Sequence, residues 1–134
     1  MREEPFLILD LQSKMANILI VEDEAIVALA TKMMLNNLSH APVAIVSSGT
    51  AALTALSEHQ IDLVILDIKL KGDVSGLEVA RKIRENKKTP ILFITGNSDL
   101  KTQEETVSFG NSAILRKPIL VEELQSSIDE LLRN

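Results

Sequence analysis

A chain of 134 residues has room for one compact domain. With 46% apolar residues and no cysteine, its core must come from packing, and disulfides, thiol catalysis and thiolate metal ligands are all excluded. Three Phe are the only aromatic residues and the net charge is −5, so the chain lacks both stacking platforms for single strands and a field that attracts phosphate backbones; no direct nucleic-acid partner is expected.

Residues 1–14, MREEPFLILDLQSK, precede a second methionine, Met15. Glu3 and Glu4 stand where a signal peptide is basic and Asp10 interrupts its apolar run, so the segment reads as an N-terminal extension or leader, of open origin. No stretch reaches the roughly 18 apolar residues of a membrane span. A cytoplasmic domain over residues 15–134, with no membrane partner, is the expectation.

Five short apolar runs follow: ILIV at 18–21, VAIV at 43–46, IDLVIL at 61–66, ILFI at 91–94 and AIL at 113–115. Most are too short for helices and rich in β-branched residues, so they read as strands. Apolar residues at helical spacing lie between them: Ile26, Leu29, Ala30, Met33 and Met34, then Ala52, Ala55 and Leu56, then Val79, Ala80 and Ile83. The basic run ARKIRENKK, with Arg81, Lys82, Arg84, Lys87 and Lys88, reads as a solvated helix end. Segment 100–109, LKTQEETVSF, has the weakest helical pattern and is expected to be the least firmly packed and most mobile. Leu120, Leu124, Ile128, Leu131 and Leu132 form the clearest amphipathic stripe.

Five alternations of strand and helix call for right-handed crossovers and a parallel sheet covered on both faces. In such an α/β sheet, ligands bind beyond the carboxyl ends of the strands. The residues found there are Glu22, Asp23 and Glu24, then Asp67, then Thr95 and Gly96, then Lys117 and Pro118. Singly each has an ordinary explanation, as a helix cap, a turn or a strand end. Together Glu22, Asp23 and Asp67 would share one crevice and repel one another unless a cation is present. Oxygen ligands favour Mg²⁺, and one such ion with Lys117 would neutralise the three carboxylates.

The motifs VEDE, LVILD, FITG and ILRKP, with separations of 44, 28 and 22 residues from Asp23 through Asp67 and Thr95 to Lys117, resemble the receiver domain of bacterial two-component response regulators. The resemblance covers residues 17–132 and implies a CheY-like, flavodoxin-like (βα)5 fold: a doubly wound five-stranded parallel sheet of order 2-1-3-4-5. It implies that Asp67 takes a phosphoryl group from a phosphohistidine of a sensor kinase or histidine phosphotransfer protein. Asp23, Asp67 and the Lys69 backbone carbonyl would then bind Mg²⁺, with Glu22 acting through water. Thr95 and Lys117 would hold phosphoryl oxygens, Gly96 would leave room beside them, and the Lys117–Pro118 bond would be cis. The chain is thus expected to be a signalling module rather than an enzyme. Phosphorylation would displace the 95–110 loop and helix to alter partner binding, with output through the face of the fourth helix, fifth strand and fifth helix.

Three departures from the family pattern stand out. The loop DIKLKGDVSG has Lys71 where the family usually carries Pro, and Gly76 one residue late, so it reads as longer and less rigid. Lys69 and Asn97 stand at positions that in receivers flank the path of attacking water, so the resemblance implies that they tune phosphoryl lifetime. Ile114 occupies the position where most receivers carry an aromatic switch residue. A phosphorylation-independent pseudo-receiver is the alternative. A haloacid-dehalogenase-type phosphatase would need Asp where Lys69 stands, and a flavodoxin would need a Ser/Thr-rich loop where Glu22 to Glu24 stand. The chain ends two residues after Leu132, which reads as a stand-alone or excised receiver.

Overall fold

The computed structural model describes residues 15–72, 74–96 and 100–133. In chain order they form β1 (Asn17–Val21), α1 (Ala25–Asn37), β2 (Ala41–Val46), α2 (Gly49–Glu58), β3 (Leu63–Asp67), α3 (Gly76–Asn86), β4 (Ile91–Thr95), α4 (Leu100–Ser108), β5 (Ser112–Arg116) and α5 (Val121–Arg133). All four strand pairings are parallel, as the alternation of strand and helix predicts, and the sheet order is β2-β1-β3-β4-β5, as the family resemblance implies. Among the described residues no helix is long and apolar enough to cross a membrane.

The order dictates the layers. Only the crossover from β1 to β2 runs toward one edge; those through α2, α3 and α4 run toward the other, so right-handed connections put α1 on one face and these three on the opposite one. The alternating side chains of the strands divide accordingly. Leu19, Val21, Val64, Leu66, Ile91 and Phe93 pack with Ala52, Ala55, Val79, Ala80 and Ile83 of α2 and α3. Ile18, Ile20, Leu63, Ile65, Leu92 and Ile94 pack with Leu35 of α1 and with Leu124, Ile128 and Leu131 of α5. Every residue of β3 and β4 is buried, which explains their unbroken apolar runs. Pro42 on edge strand β2 coincides with a register shift opposite Ile18 and Leu19, at a place where the missing N–H does least harm.

The apolar stripe of α1 turns away from the sheet, and one member of the last stripe, Leu120, falls outside its helix. Ile26, Leu29, Ala30 and Met33 lie on the exposed side of α1, while Ala28, Thr31 and Leu35 face the sheet. Small inward residues let this helix sit close, and the Thr31 hydroxyl is satisfied by donating to the Val27 carbonyl at 2.9 Å. Leu120 precedes α5 and is half exposed, its carbonyl accepting from the Leu124 N–H at 2.9 Å.

Arg84 corrects the reading of the basic run as merely solvated. Its guanidinium donates to the carbonyls of Phe109 (2.9 Å), Gly110 (2.8 Å), Asn111 (3.1 Å) and Thr89 (2.7 Å), tying α3 to the turn after α4. The loop after β3 is pinned as well as long. Ile68 and Leu70 are buried, and a Cβ on Gly76 would lie 2.3 Å from the Asp67 carbonyl oxygen, so glycine is required for this approach.

Candidate functional site

The carboxyl ends of β1, β3, β4 and β5 converge on one crevice. Asp67 is the last residue of β3 and is 3% exposed, so its charge is taken out of bulk water and must be met locally. Its Oδ1 accepts from the Lys69 N–H at 3.0 Å and its Oδ2 from Lys117 Nζ at 3.1 Å. Lys117 arrives from the residue after β5, where its own N–H bonds the Thr95 carbonyl at 2.8 Å and its bond to Pro118 is cis. Thr95 ends β4 and is buried. Gly96 follows it, and a side chain there would meet open space.

Glu22 and Glu24 complete the group. Glu22 is buried; one carboxylate oxygen lies 3.2 Å from Lys117 Nζ and the other accepts from the Glu24 N–H at 3.0 Å. The Glu24 carboxylate reaches Lys117 Nζ at 2.9 Å. Burial pushes the Glu22 carboxyl up to about 7, with the neighbouring Asp67 charge adding to the rise and the bond from the Glu24 N–H opposing it. Burial by itself would lower the Lys117 ammonium, but its bonds to Glu24, Asp67 and Glu22 outweigh that and hold it above its ordinary value.

The structure therefore brings together Glu22, Asp67, Thr95 and Lys117 from the residues read off the strand ends. Asp23 sits at the rim, its Oδ2 accepting from the Lys71 N–H at 3.3 Å. The carboxylates whose oxygens come within 4.8 Å of one another are Glu22, Glu24 and Asp67, so the sequence reading missed Glu24 as a member of the cluster. Its pairing with Lys117 spans 93 residues and has no local signature. With Glu24 counted, the four carboxylates leave one net negative charge after one divalent cation and Lys117. The side chain of Lys69 is exposed. Asn97 lies outside the described residues. Ile114 is half-buried in β5, paired with Phe93 and packed into the cluster that includes Phe109.

These carboxylates could hold a metal ion: their oxygens are hard ligands, a single ammonium under-neutralises them, and burial together with the Asp67 charge disfavours the ionised Glu22 carboxyl without one.

Fold and site together define the class of doubly wound α/β domains that bind ligands beyond their strand ends, here where carboxylates gather around one lysine. Within it, the chain belongs to the response regulator receiver domain family, whose profile matches residues 18–129. It is 36% identical over 119 residues to response regulator ArlR of Staphylococcus haemolyticus, covering 89% of this chain and 53% of that protein. ArlR of Staphylococcus aureus matches at the same identity and coverage. The chain thus spans about half the length of these relatives. Among solved structures, a signal receiver domain of a modulated diguanylate cyclase from Desulfovibrio desulfuricans is similar at a TM-score of 0.82 and 26% identity, over 90% of this chain and 95% of that one. A putative response regulator from Chloroflexus aurantiacus is similar at a TM-score of 0.83 and 26% identity, over 90% and 100%.

Proposed function

We propose that this domain is a phosphorylation-gated switch in which Asp67 accepts a phosphoryl group from a phosphohistidine of a sensor kinase or histidine phosphotransfer protein. The observation that carries this reading is the Asp67 carboxylate itself: buried, at a strand end, and held by the Lys69 N–H and the Lys117 ammonium. A carboxylate so placed is an oriented nucleophile. Its oxygen forms a bond to phosphorus as the P–N bond to the donor histidine breaks, with the electron pair leaving on the imidazole. Such transfer needs in-line positioning and charge neutralisation more than covalent help from the protein. Mg²⁺ held by Asp23, Asp67 and the Lys69 carbonyl, with Glu22 acting through water, would supply that neutralisation.

The acyl phosphate carries one more negative charge than the carboxylate it replaces. The Thr95 hydroxyl and Lys117 then take phosphoryl oxygens, drawing in the 95–110 segment. That segment is suited to respond, because Thr106 is the only buried side chain described in α4. With Ile114 in place of an aromatic, the signal leaves through displacement of this segment, toward a protein bound at the α4-β5-α5 face, where Val107 is exposed. Lys69 and Asn97 tune the lifetime of the phosphoryl group.

The phosphodonor is inferred to dock on α1. This helix begins directly after Glu24, and Ile26, Leu29 and Met33 are 84%, 55% and 58% exposed on one side of it. An apolar helical surface docked there would bring its histidine to the mouth of the crevice.

Incubation with Mg²⁺ and acetyl phosphate tests the reading. A labile mass gain of about 80 Da, one phosphoryl group, is expected in the wild type and not in Asp67→Asn. Absence of an adduct with any phosphodonor would leave a phosphorylation-independent interaction module instead.

A further inference from the structure

The Lys117 ammonium is fully committed. It has three protons to donate, and three carboxylates lie within reach: Glu24 at 2.9 Å, Asp67 at 3.1 Å and Glu22 at 3.2 Å. A phosphoryl oxygen on Asp67 can engage Lys117 only if one of these partners gives way. Asp67 stays, because it carries the phosphoryl group. Glu22 stays, because it is buried at the base of the crevice and its other oxygen is fixed by the Glu24 N–H.

Glu24 is the partner built to leave. Its side chain is 60% exposed, so its carboxylate regains water when released. Glu24 also occupies the N-cap position of α1, and its side chain accepts no bond from the first turn. It reaches instead to a lysine 93 residues away. Released from Lys117, it has the open N–H groups of its own helix as an alternative partner.

We propose that Glu24 is an internal competitor for Lys117: it holds the ammonium in the resting domain and must release it before Lys117 can take a phosphoryl oxygen. Glu24 thereby sets how readily Asp67 is phosphorylated. This rests on the reading of Asp67 as the phosphoryl acceptor and assigns Glu24 a positioning role at the same site.

The test is a titration with beryllofluoride, a stable mimic of the phosphoryl group, at saturating Mg²⁺, followed by amide NMR. Glu24→Gln should bind the mimic about two- to five-fold more tightly than wild type, the range of an exposed ion pair converted to an equilibrium ratio. In metal-free protein with no mimic present, the Lys117 ammonium protons should exchange with water faster in Glu24→Gln. Equal affinity in the two proteins overturns the proposal. So does weaker binding of both Mg²⁺ and the mimic, which would make Glu24 a metal ligand. A wild type that binds no beryllofluoride and forms no adduct on Asp67 is a different failure, that of the phosphoacceptor reading itself.

Discussion

Helices α3 and α4 cover consecutive crossovers on the same face of the sheet, yet they are fastened in opposite ways. α3 starts with a capping box, in which the Glu78 N–H donates to the Ser75 hydroxyl at 3.2 Å and the Ser75 N–H to the Glu78 carboxylate at 3.3 Å. It then buries Gly76, Val79, Ala80 and Ile83. α4 buries Thr106 alone among its described side chains, and its firm attachment lies beyond its C-terminal end, where Arg84 of α3 gathers three carbonyls from Phe109 to Asn111. The anchored helix thus holds one end of its neighbour. The other end of α4 follows Thr95, the place where a pull from a phosphorylated Asp67 would arrive.

Removing the tie gives the largest expected effect. Arg84→Ala takes a donor from four carbonyls, of which Asn111 keeps the Ile91 N–H, and should cost on the order of 3 kcal/mol. Denaturant unfolding measures this, and hydrogen exchange should show the turn after α4 opening before α3 does. If exchange in that turn is unchanged, Arg84 is not the anchor.

The same contrast between a fixed and a releasable group exists inside the crevice, where Glu22 is buried and Glu24 exposed. The Glu22 carboxyl is raised from 4.5 to about 7, so the folded state binds the extra proton. Stability from this group is present at low pH and is lost as pH rises across that interval. In metal-free protein at pH 8, Glu22→Gln should be more stable than wild type by about 3 kcal/mol, and the gain should vanish near pH 4.5. Added Mg²⁺ should raise the wild-type melting temperature at pH 8 more than that of Glu22→Gln.

Smaller effects separate the helices themselves. Ser75→Ala breaks the capping box and should cost about 1 kcal/mol, read by thermal unfolding. Val107→Lys on α4 changes a side chain that is 73% exposed and should shift stability by no more than about 0.5 kcal/mol. A larger loss at Val107 would mean that α4 is packed as firmly as α3.

Strand positions and the residues beyond each strand were legible because apolar runs in a parallel sheet are local and continuous, and the crevice rule then points to the next residue; the sheet order followed from the family resemblance of the motifs. What escaped is set by contacts in space. The apolar spacing on α1 is helical, but spacing does not say which side meets the sheet, and the small pair Ala28 and Thr31 won that side. Glu24 differs from its acidic neighbours only through a partner at the far end of the chain. Arg84 resembles the other cations of its run until the turn from Phe109 to Asn111 is folded against it. Gly76 is demanded by the Asp67 carbonyl oxygen 2.3 Å from where its Cβ would stand, a constraint that no turn propensity expresses.

On this proposal a phosphoryl group on Asp67 acts on α4 and leaves α3 in place. Backbone hydrogen exchange of the Mg²⁺-loaded protein, with and without beryllofluoride, tests it most directly. Exchange should alter over residues 100–108 and stay unchanged over residues 76–86, and in Asp67→Asn it should alter in neither. Equal changes in the two helices, or none in α4 when the mimic is bound, would contradict it.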